Sequence, residues 1–213
     1  QRISRSCEKS GRLPGDVKLI CVTKEASLIQ IGEVLALGVK NIGEHRVQDA
    51  ALKYWVIGDK AIWHLIGHLQ TNKVREAVRI FSLIHSVDSI RLAKEIDREA
   101  KKIGKIQDVL IQVNISGEES KFGLAPDNVA AFFREVSLYP NINILGLMTI
   151  APEVDDPQKV RSYLRELREL RDELNAIRNT QYTILSMGMT NDFEVAIEEG
   201  ATMVRVGRAV FSV

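Results

Sequence analysis

Short runs of apolar and β-branched residues alternate with runs of helical period along almost the whole chain. Eight of the short runs predict strands, at Lys18–Thr23, Asn41–Glu44, Ala61–Gly67, Leu83–Val87, Asp108–Ile115, Ile142–Ile150, Tyr182–Gly188 and Met203–Phe211. Strands that alternate with helices form a parallel sheet, and eight of them can close into a barrel. The sequence therefore predicts an α/β fold, a single (β/α)8 TIM barrel.

The runs between the predicted strands carry the signals of helices. They cover Ser27–Leu37, Val47–Val56, Asn72–Phe81, Ser89–Ile103, Pro126–Leu138, Pro157–Ile177 and Asn191–Glu199. Gly38, Gly104 and Gly200 stand where such helices would end in a left-handed cap. Residues 1–16 predict a further helix that covers the bottom of the barrel. An open doubly wound sheet is the alternative, but no Gly-x-Gly-x-x-Gly follows any predicted strand.

The composition favours one globular domain over residues 1–213. With 45% hydrophobic and 27% charged residues, the chain can bury a sizeable core. Its 29 basic and 28 acidic residues leave a net charge of +1, without a basic run that would bind nucleic acid. No apolar stretch approaches the roughly 20 residues of a membrane helix. Cys7 and Cys21 lack disulfide density and metal-ligand spacing, which favours a cytoplasmic protein. The chain does not begin with Met, and we expect a few native residues to precede Gln1.

The first predicted strand runs directly into Lys24. An ammonium at the carboxyl end of a buried strand is costly unless that end uses it, and in a parallel barrel this end is the active-site face. Partial burial favours the neutral amine, which can attack an aldehyde and form a Schiff base. The alternative is a lysine that only extends to solvent.

The predicted seventh and eighth strands end in residues suited to phosphate, as in other barrels. Ser186 and Thr190 offer hydroxyls after the seventh strand, while Arg205 and Gly207 share one face of the eighth and Arg208 follows. The alternatives are turn and cap residues for the first pair and surface ion pairs for the arginines. A lysine nucleophile beside a phosphate site suits a phosphorylated aldehyde, and pyridoxal 5′-phosphate (PLP) is the candidate.

Seven motifs, in order along the chain, carry a resemblance to a known family. They are Val22-Thr23-Lys24, Gly43-Glu44-His45-Arg46-Val47-Gln48-Asp49, Trp63-His64-Leu65-Ile66-Gly67-His68-Leu69-Gln70-Thr71-Asn72-Lys73, Val113-Asn114-Ile115-Ser116, Ser120-Lys121-Phe122-Gly123, Gly146-Leu147-Met148-Thr149 and Ser186-Met187-Gly188-Met189-Thr190. From about Lys18 to Phe211 the chain resembles the YggS/PROSC family of pyridoxal phosphate homeostasis proteins, whose barrel is alanine-racemase-like.

The resemblance implies a cofactor site of eight residues: Lys24, His45, Ile66, Ser186, Met187, Arg205, Gly207 and Arg208. Lys24 would hold PLP as an aldimine, and Arg205 would face the pyridine nitrogen. Ser186 and the backbone around Gly207 and Arg208 would bind the phosphate. The resemblance assigns no catalytic residue and no metal ligand.

Two positions depart from the family pattern. His45 stands where family members have Asn, which would alter a polar contact or make it titratable. The alternative is a loop histidine that faces solvent. Thr23 replaces the commoner Ser and keeps the hydroxyl. His64 and His85 are interpreted as core histidines.

The implied function is a PLP-binding protein of vitamin B6 homeostasis with little or no turnover. A guanidinium donates to a ring nitrogen but does not readily protonate it, so the ring stays a weak electron sink. A low-activity PLP-dependent amino-acid racemase is the main alternative, and a Schiff-base aldolase is the third. We expect a monomer whose partners are PLP and apo PLP-dependent enzymes, with neither nucleic acid nor membrane among them.

Overall fold

The computed structural model describes residues 1–178 and 181–211, except for the side chain of Arg178. Eight parallel strands close into a barrel in sequence order, and the last strand pairs with the first. The strands are β1 Lys18–Val22, β2 Asn41–Glu44, β3 Ile62–Leu65, β4 Leu83–Val87, β5 Gln107–Gln112, β6 Ile142–Met148, β7 Ile184–Ser186 and β8 Met203–Val206. The predicted TIM barrel is confirmed.

Helices surround the barrel and connect successive strands. They are α1 Arg2–Lys9, α2 Leu28–Ala36, α3 Val47–Ile57, α4 Val74–Ile80, α5 Ile90–Lys102, α6 Pro126–Val136, α7 Arg161–Arg178, α8 Phe193–Glu198 and α9 Arg208–Phe211. Within the described ranges, no helix is both long enough and apolar enough to cross a membrane.

The end of the eighth strand differs from its prediction. The apolar run from Met203 was expected to stay extended to Phe211, but β8 ends at Val206 and α9 begins at Arg208. The carbonyl of Gly207 accepts hydrogen bonds from the backbone N–H groups of Val210, at 2.8 Å, and Phe211, at 3.2 Å. These bonds close a helical turn, and a short apolar run is equally compatible with strand and helix.

The N-terminal helix α1 packs against α8, one of the helices around the barrel. The cover of the barrel bottom stays a prediction. Arg2 pairs with Glu194 in α8 at 3.1 Å. Arg12, after α1, donates to the backbone carbonyls of Ile197 and Ala201 near the end of α8. Because these contacts involve both ends of α8, they hold the N-terminal segment against this helix.

The described residues form two clusters of buried apolar side chains, one outside the barrel wall and one inside it. The larger lies between the strands and the helices. The smaller fills the barrel interior with Ile20, Leu83, Leu110, Met148 and Met203. Among the buried polar side chains are those of His64, His85, Ser186 and Arg205. Buried polar groups need hydrogen-bond partners, and these side chains bond to one another.

Candidate functional site

A cavity of about 590 Å³ opens at the carboxyl ends of the strands. Six of the eight predicted cofactor-site residues line it: Lys24, His45, Ile66, Arg205, Gly207 and Arg208. The wall also contains the carboxylates of Glu25, Glu153 and Asp192, and apolar side chains from the segment that follows β6. Cationic side chains from β8 and from the segments that follow β1 and β8 thus line one cavity.

Lys24 follows β1 by two residues and extends into this cavity. Its side chain is 50% exposed, and its Nζ lies 3.5 Å from Oε1 of Glu25. An ion pair so open to water contributes little to stability. The amine is therefore available to a ligand in the cavity.

A buried ion pair behind Lys24 fixes the preceding backbone. Lys53 Nζ lies 2.7 Å from Oε1 of Glu44 and donates to the carbonyl of Thr23 at 2.6 Å. The hydroxyl of Thr23 donates to the same carboxylate oxygen at 2.6 Å. Thr23, one of the two departures from the family pattern, thus uses its hydroxyl to hold the end of β1. Sequence reasoning did not single out Glu44 or Lys53, although Glu44 lies within one of the family motifs.

Arg205 lies in the barrel wall under the cavity and is only 4% exposed. Its Nη1 donates to the backbone oxygen and to Oγ of Ser186, at 2.7 and 2.8 Å, and its Nη2 donates to the carbonyl of Thr149 at 2.8 Å. A guanidinium has five N–H donors, so two are left without a partner in the described chain. Burial lowers the pKa of Arg205 to about 10, opposed by the nearby carboxylate of Asp192, and the side chain stays charged at neutral pH.

Ser186 and Met187 do not reach the cavity, although both belong to the predicted site. Both are fully buried, and the Ser186 hydroxyl contacts Arg205 and His85 instead. Gly188, with a φ of 91°, turns the chain between them and the cavity. A Cβ at Gly188 would lie 2.5 Å from the Cβ of Ala196, so this turn needs glycine.

Thr190, beyond that turn, lines the cavity in the place that was predicted for Ser186. Across from it, Gly207 and the exposed Arg208 begin the segment after β8. A Cβ at Gly207 would lie 3.1 Å from both the Cβ and the carbonyl oxygen of Val22, which also lines the cavity. The absence of a side chain at Gly207 lets β8 and β1 approach closely at the cavity floor.

His45 lies at the exposed rim of the cavity. Partial burial against the cavity wall, together with the Lys24 and Arg205 cations, lowers the pKa of its imidazole. A lowered pKa makes the neutral imidazole the dominant form at pH 7. His45 can then donate or accept a hydrogen bond at the position where the family pattern has Asn.

Other groups near this face have partners of their own. His68 stacks on Phe122 with ring centroids 3.8 Å apart, and its Nδ1 lies 3.5 Å from Asp88. Lys121 lines the cavity and pairs with Glu118 at 2.8 Å. Among residues 1–178 and 181–211, no group of three or more His, Cys, Asp or Glu side chains could hold a metal ion.

Similarity to known proteins identifies the family to which this barrel belongs. The family described as alanine racemase, N-terminal domain, matches residues 5–213 of the chain. The pyridoxal phosphate homeostasis protein of Aquifex aeolicus is 47% identical over 212 residues, which cover 99% of this chain and 93% of that protein. The chain therefore belongs to the family of pyridoxal phosphate homeostasis proteins.

Solved structures of a relative agree with this assignment. PipY of Synechococcus elongatus PCC7942, in a structure without PLP, is 36% identical and superposes with a TM-score of 0.89 over 100% of both chains. A second structure of PipY, with PLP bound, has the same identity and coverage and a TM-score of 0.87. The similarity thus extends over the whole barrel.

Proposed function

We propose that this chain binds PLP in the cavity at the carboxyl ends of the strands and acts in PLP homeostasis. The observation that carries the proposal is the meeting of Lys24, Arg205 and Arg208 around one cavity of about 590 Å³. The relative PipY has been solved with PLP bound, and the curated relatives are homeostasis proteins by name. Both described cysteines are free and buried, in keeping with a cytoplasmic site of action.

The donors around the cavity fit each part of this cofactor. When bound, PLP supplies an aldehyde carbon to which a lysine amine adds with loss of water, and a ring nitrogen that accepts a hydrogen bond. Lys24 provides the amine, on a backbone held by Lys53 and Glu44. Arg205 provides the two N–H donors that the described residues leave unused.

We assign the phosphate to Thr190, Arg208 and the backbone at Gly207, and no longer to Ser186. These three residues line the cavity, whereas the Ser186 hydroxyl is buried against Arg205 and His85. A hydroxyl, a guanidinium and an unobstructed backbone are suitable donors to a dianion. Arg208 is exposed, so its charge also attracts the ligand from solution.

The double variant Thr190→Ala with Arg208→Ala tests the phosphate site. Hydrogen bonds to charged groups contribute about 1.5–3 kcal/mol each, and about 1.4 kcal/mol corresponds to tenfold in affinity. We expect equilibrium titration to show PLP binding weakened by about a hundredfold, and unphosphorylated pyridoxal by less than about threefold. Arg91→Ala, which removes an exposed arginine that does not line this cavity, is the matched control and should change neither constant. Equal losses for both ligands would remove the phosphate role.

Arg205 also supports the proposal of low turnover. A guanidinium with a pKa of about 10 keeps its proton at pH 7, so it donates to a ring nitrogen without protonating it. The electron sink needed for racemisation is then weak. We expect the PLP-loaded protein to incorporate Cα deuterium into L-alanine no faster than free PLP does in deuterated water. Incorporation at about 1–10³ per second, the usual enzyme range, would identify a racemase.

We further propose that the protein acts as a monomer and passes PLP to apo forms of PLP-dependent enzymes. The half-exposed side chain of Lys24 supports the transfer of PLP, because a ligand held there remains accessible from solution. The cavity opens at the barrel face, and the exposed Arg208 lies at its edge. A recipient enzyme can therefore approach the bound cofactor.

A further inference from the structure

A chain of hydrogen bonds connects Arg205 to the opposite end of the barrel. Arg205 Nη1 donates to Ser186 Oγ at 2.8 Å, and that oxygen lies 2.9 Å from Nδ1 of His85. Nε2 of His85 lies 2.9 Å from Nδ1 of His64, and Nε2 of His64 lies 3.1 Å from Oδ1 of Asn41. Asn41 is the first residue of β2, so the chain ends at the amino ends of the strands.

The partners at the two ends give this chain one direction. Oδ1 of Asn41 accepts, so His64 carries its proton on Nε2 and accepts at Nδ1. His85 then donates from Nε2 and accepts at Nδ1, which leaves the Ser186 hydroxyl as the donor to His85. The reverse direction would place the buried Ser186 hydroxyl between two donors, Arg205 and His85. A buried hydroxyl proton without an acceptor is costly, which excludes the reverse order.

Both histidines are neutral in this arrangement. Burial lowers the pKa of His64 to about 3, with the Lys18 cation acting in the same sense. Burial is the main reason that the pKa of His85 lies well below its usual range, and His64 and the Arg205 cation lower it further. Each ring therefore carries one proton, as the one-way chain requires.

We propose that Ser186, His85 and His64 are positioning residues that orient the Arg205 guanidinium toward the ligand in the cavity. Because the Ser186 hydroxyl donates its hydrogen bond to His85, the hydroxyl oxygen presents only lone pairs to the guanidinium. Together with the carbonyls of Ser186 and Thr149, this acceptor takes three of the five N–H donors and leaves two for the cavity. The inference deepens the proposed function, since it assumes that the ring nitrogen of PLP meets Arg205.

The tautomers of the two histidines test the chain without any cofactor. In the full chain labelled with ¹⁵N-histidine, we expect His64 and His85 to give the spectra of neutral rings protonated at Nε2 from about pH 6 to pH 8. His45 and His68, the other histidines of the sequence, are assigned by His45→Gln and His68→Gln. A proton on Nδ1 of His64 or His85, or an ordinary titration of either ring in this range, would overturn the chain.

The positioning role of the hydrogen-bond chain is tested with two ligands, PLP and an analogue in which carbon replaces the ring nitrogen. We expect His85→Leu to weaken PLP binding about tenfold, the value of about one hydrogen bond, and to leave the analogue within about twofold. His85→Gln, which can accept from Ser186 and donate to His64, should restore most of the affinity. Equal losses for both ligands would show a merely structural role, and no loss for PLP would show no role.

A smaller change keeps this test decisive if His85→Leu does not fold. Ser186→Ala removes the link between His85 and Arg205 but retains the carbonyl to which Nη1 donates. The same selective loss of PLP affinity is expected. If the wild-type protein bound no PLP, the proposed function would fail while the tautomer result stood, so the two failures are distinguishable.

Discussion

The Lys24→Ala variant is expected to lose its borohydride-reducible link to PLP completely while keeping its fold. The lysine amine is the nucleophile in the proposed site, and alanine provides none. The side chain is 50% exposed and, within the described ranges, forms an ion pair with Glu25 alone, so its loss should change stability by no more than about 0.5 kcal/mol. The measurement is the yield of reduced adduct on the intact protein by mass spectrometry, with thermal unfolding as the check on folding.

Lys121→Ala is the matched control for this experiment. Lys121 is the other lysine that lines the cavity within the described part of the chain, and it pairs with Glu118. We expect this variant to form the reducible adduct with the yield of the wild type. If Lys24→Ala retained that yield on another lysine, Lys24 would be the wrong assignment.

The free energy of unfolding is expected to fall steeply as the pH drops from 7 to 5. His64 has a pKa of about 3 in the folded protein, against about 6.5 in an unfolded chain. As the pH falls, the unfolded state therefore binds the proton first. The contribution of neutral His64 to the free energy of unfolding is fully present above about pH 6.5 and is lost as the pH falls toward 3. His64 alone accounts for roughly 2 kcal/mol over these two pH units, and His85 acts in the same direction.

Denaturant unfolding of the wild type and His64→Gln at several pH values measures this contribution. The burial of Asp88 and Asp192 raises the pKa of each carboxyl and acts in the opposite sense, equally in both proteins. The variant should therefore have a pH dependence that is flatter by roughly 2 kcal/mol between pH 7 and 5. The same slope in both proteins would mean that His64 is not the group that titrates.

Local pattern was sufficient to predict the barrel and the position of Lys24. The strand β1 is nearly continuous in apolar residues because both of its faces are covered, and Lys24 follows it at the cavity. The two-residue period of β8 likewise placed Arg205 and Gly207 on one face, and both line the cavity. These features depend on sequence neighbours alone.

Which hydroxyl of the Ser186–Thr190 motif lines the cavity depends on packing that no local pattern encodes. Ser186 and Thr190 are both hydroxyl residues within one motif, and the choice between them rests on the turn at Gly188. That turn is set by close packing against Ala196 in α8. The prediction of Ser186 followed the end of the strand, whereas the chain beyond the turn carries Thr190 to the cavity.

The hydrogen-bond chain was also out of reach of sequence reasoning. His64 and His85 were predicted to be core histidines, and their burial confirms it. Their connection to Arg205 runs through Ser186, which lies 101 residues from His85 in sequence. Only closure of the barrel brings β2, β3, β4, β7 and β8 together around this chain.

A crystal structure of the protein grown with PLP tests the central claim most directly. We predict continuous density from Nζ of Lys24 to the ligand, the ring nitrogen within hydrogen-bond distance of Arg205, and the phosphate against Thr190, Gly207 and Arg208. Ligand density attached to another lysine, or a phosphate located outside the cavity at the β1–β8 junction, would contradict the proposed site.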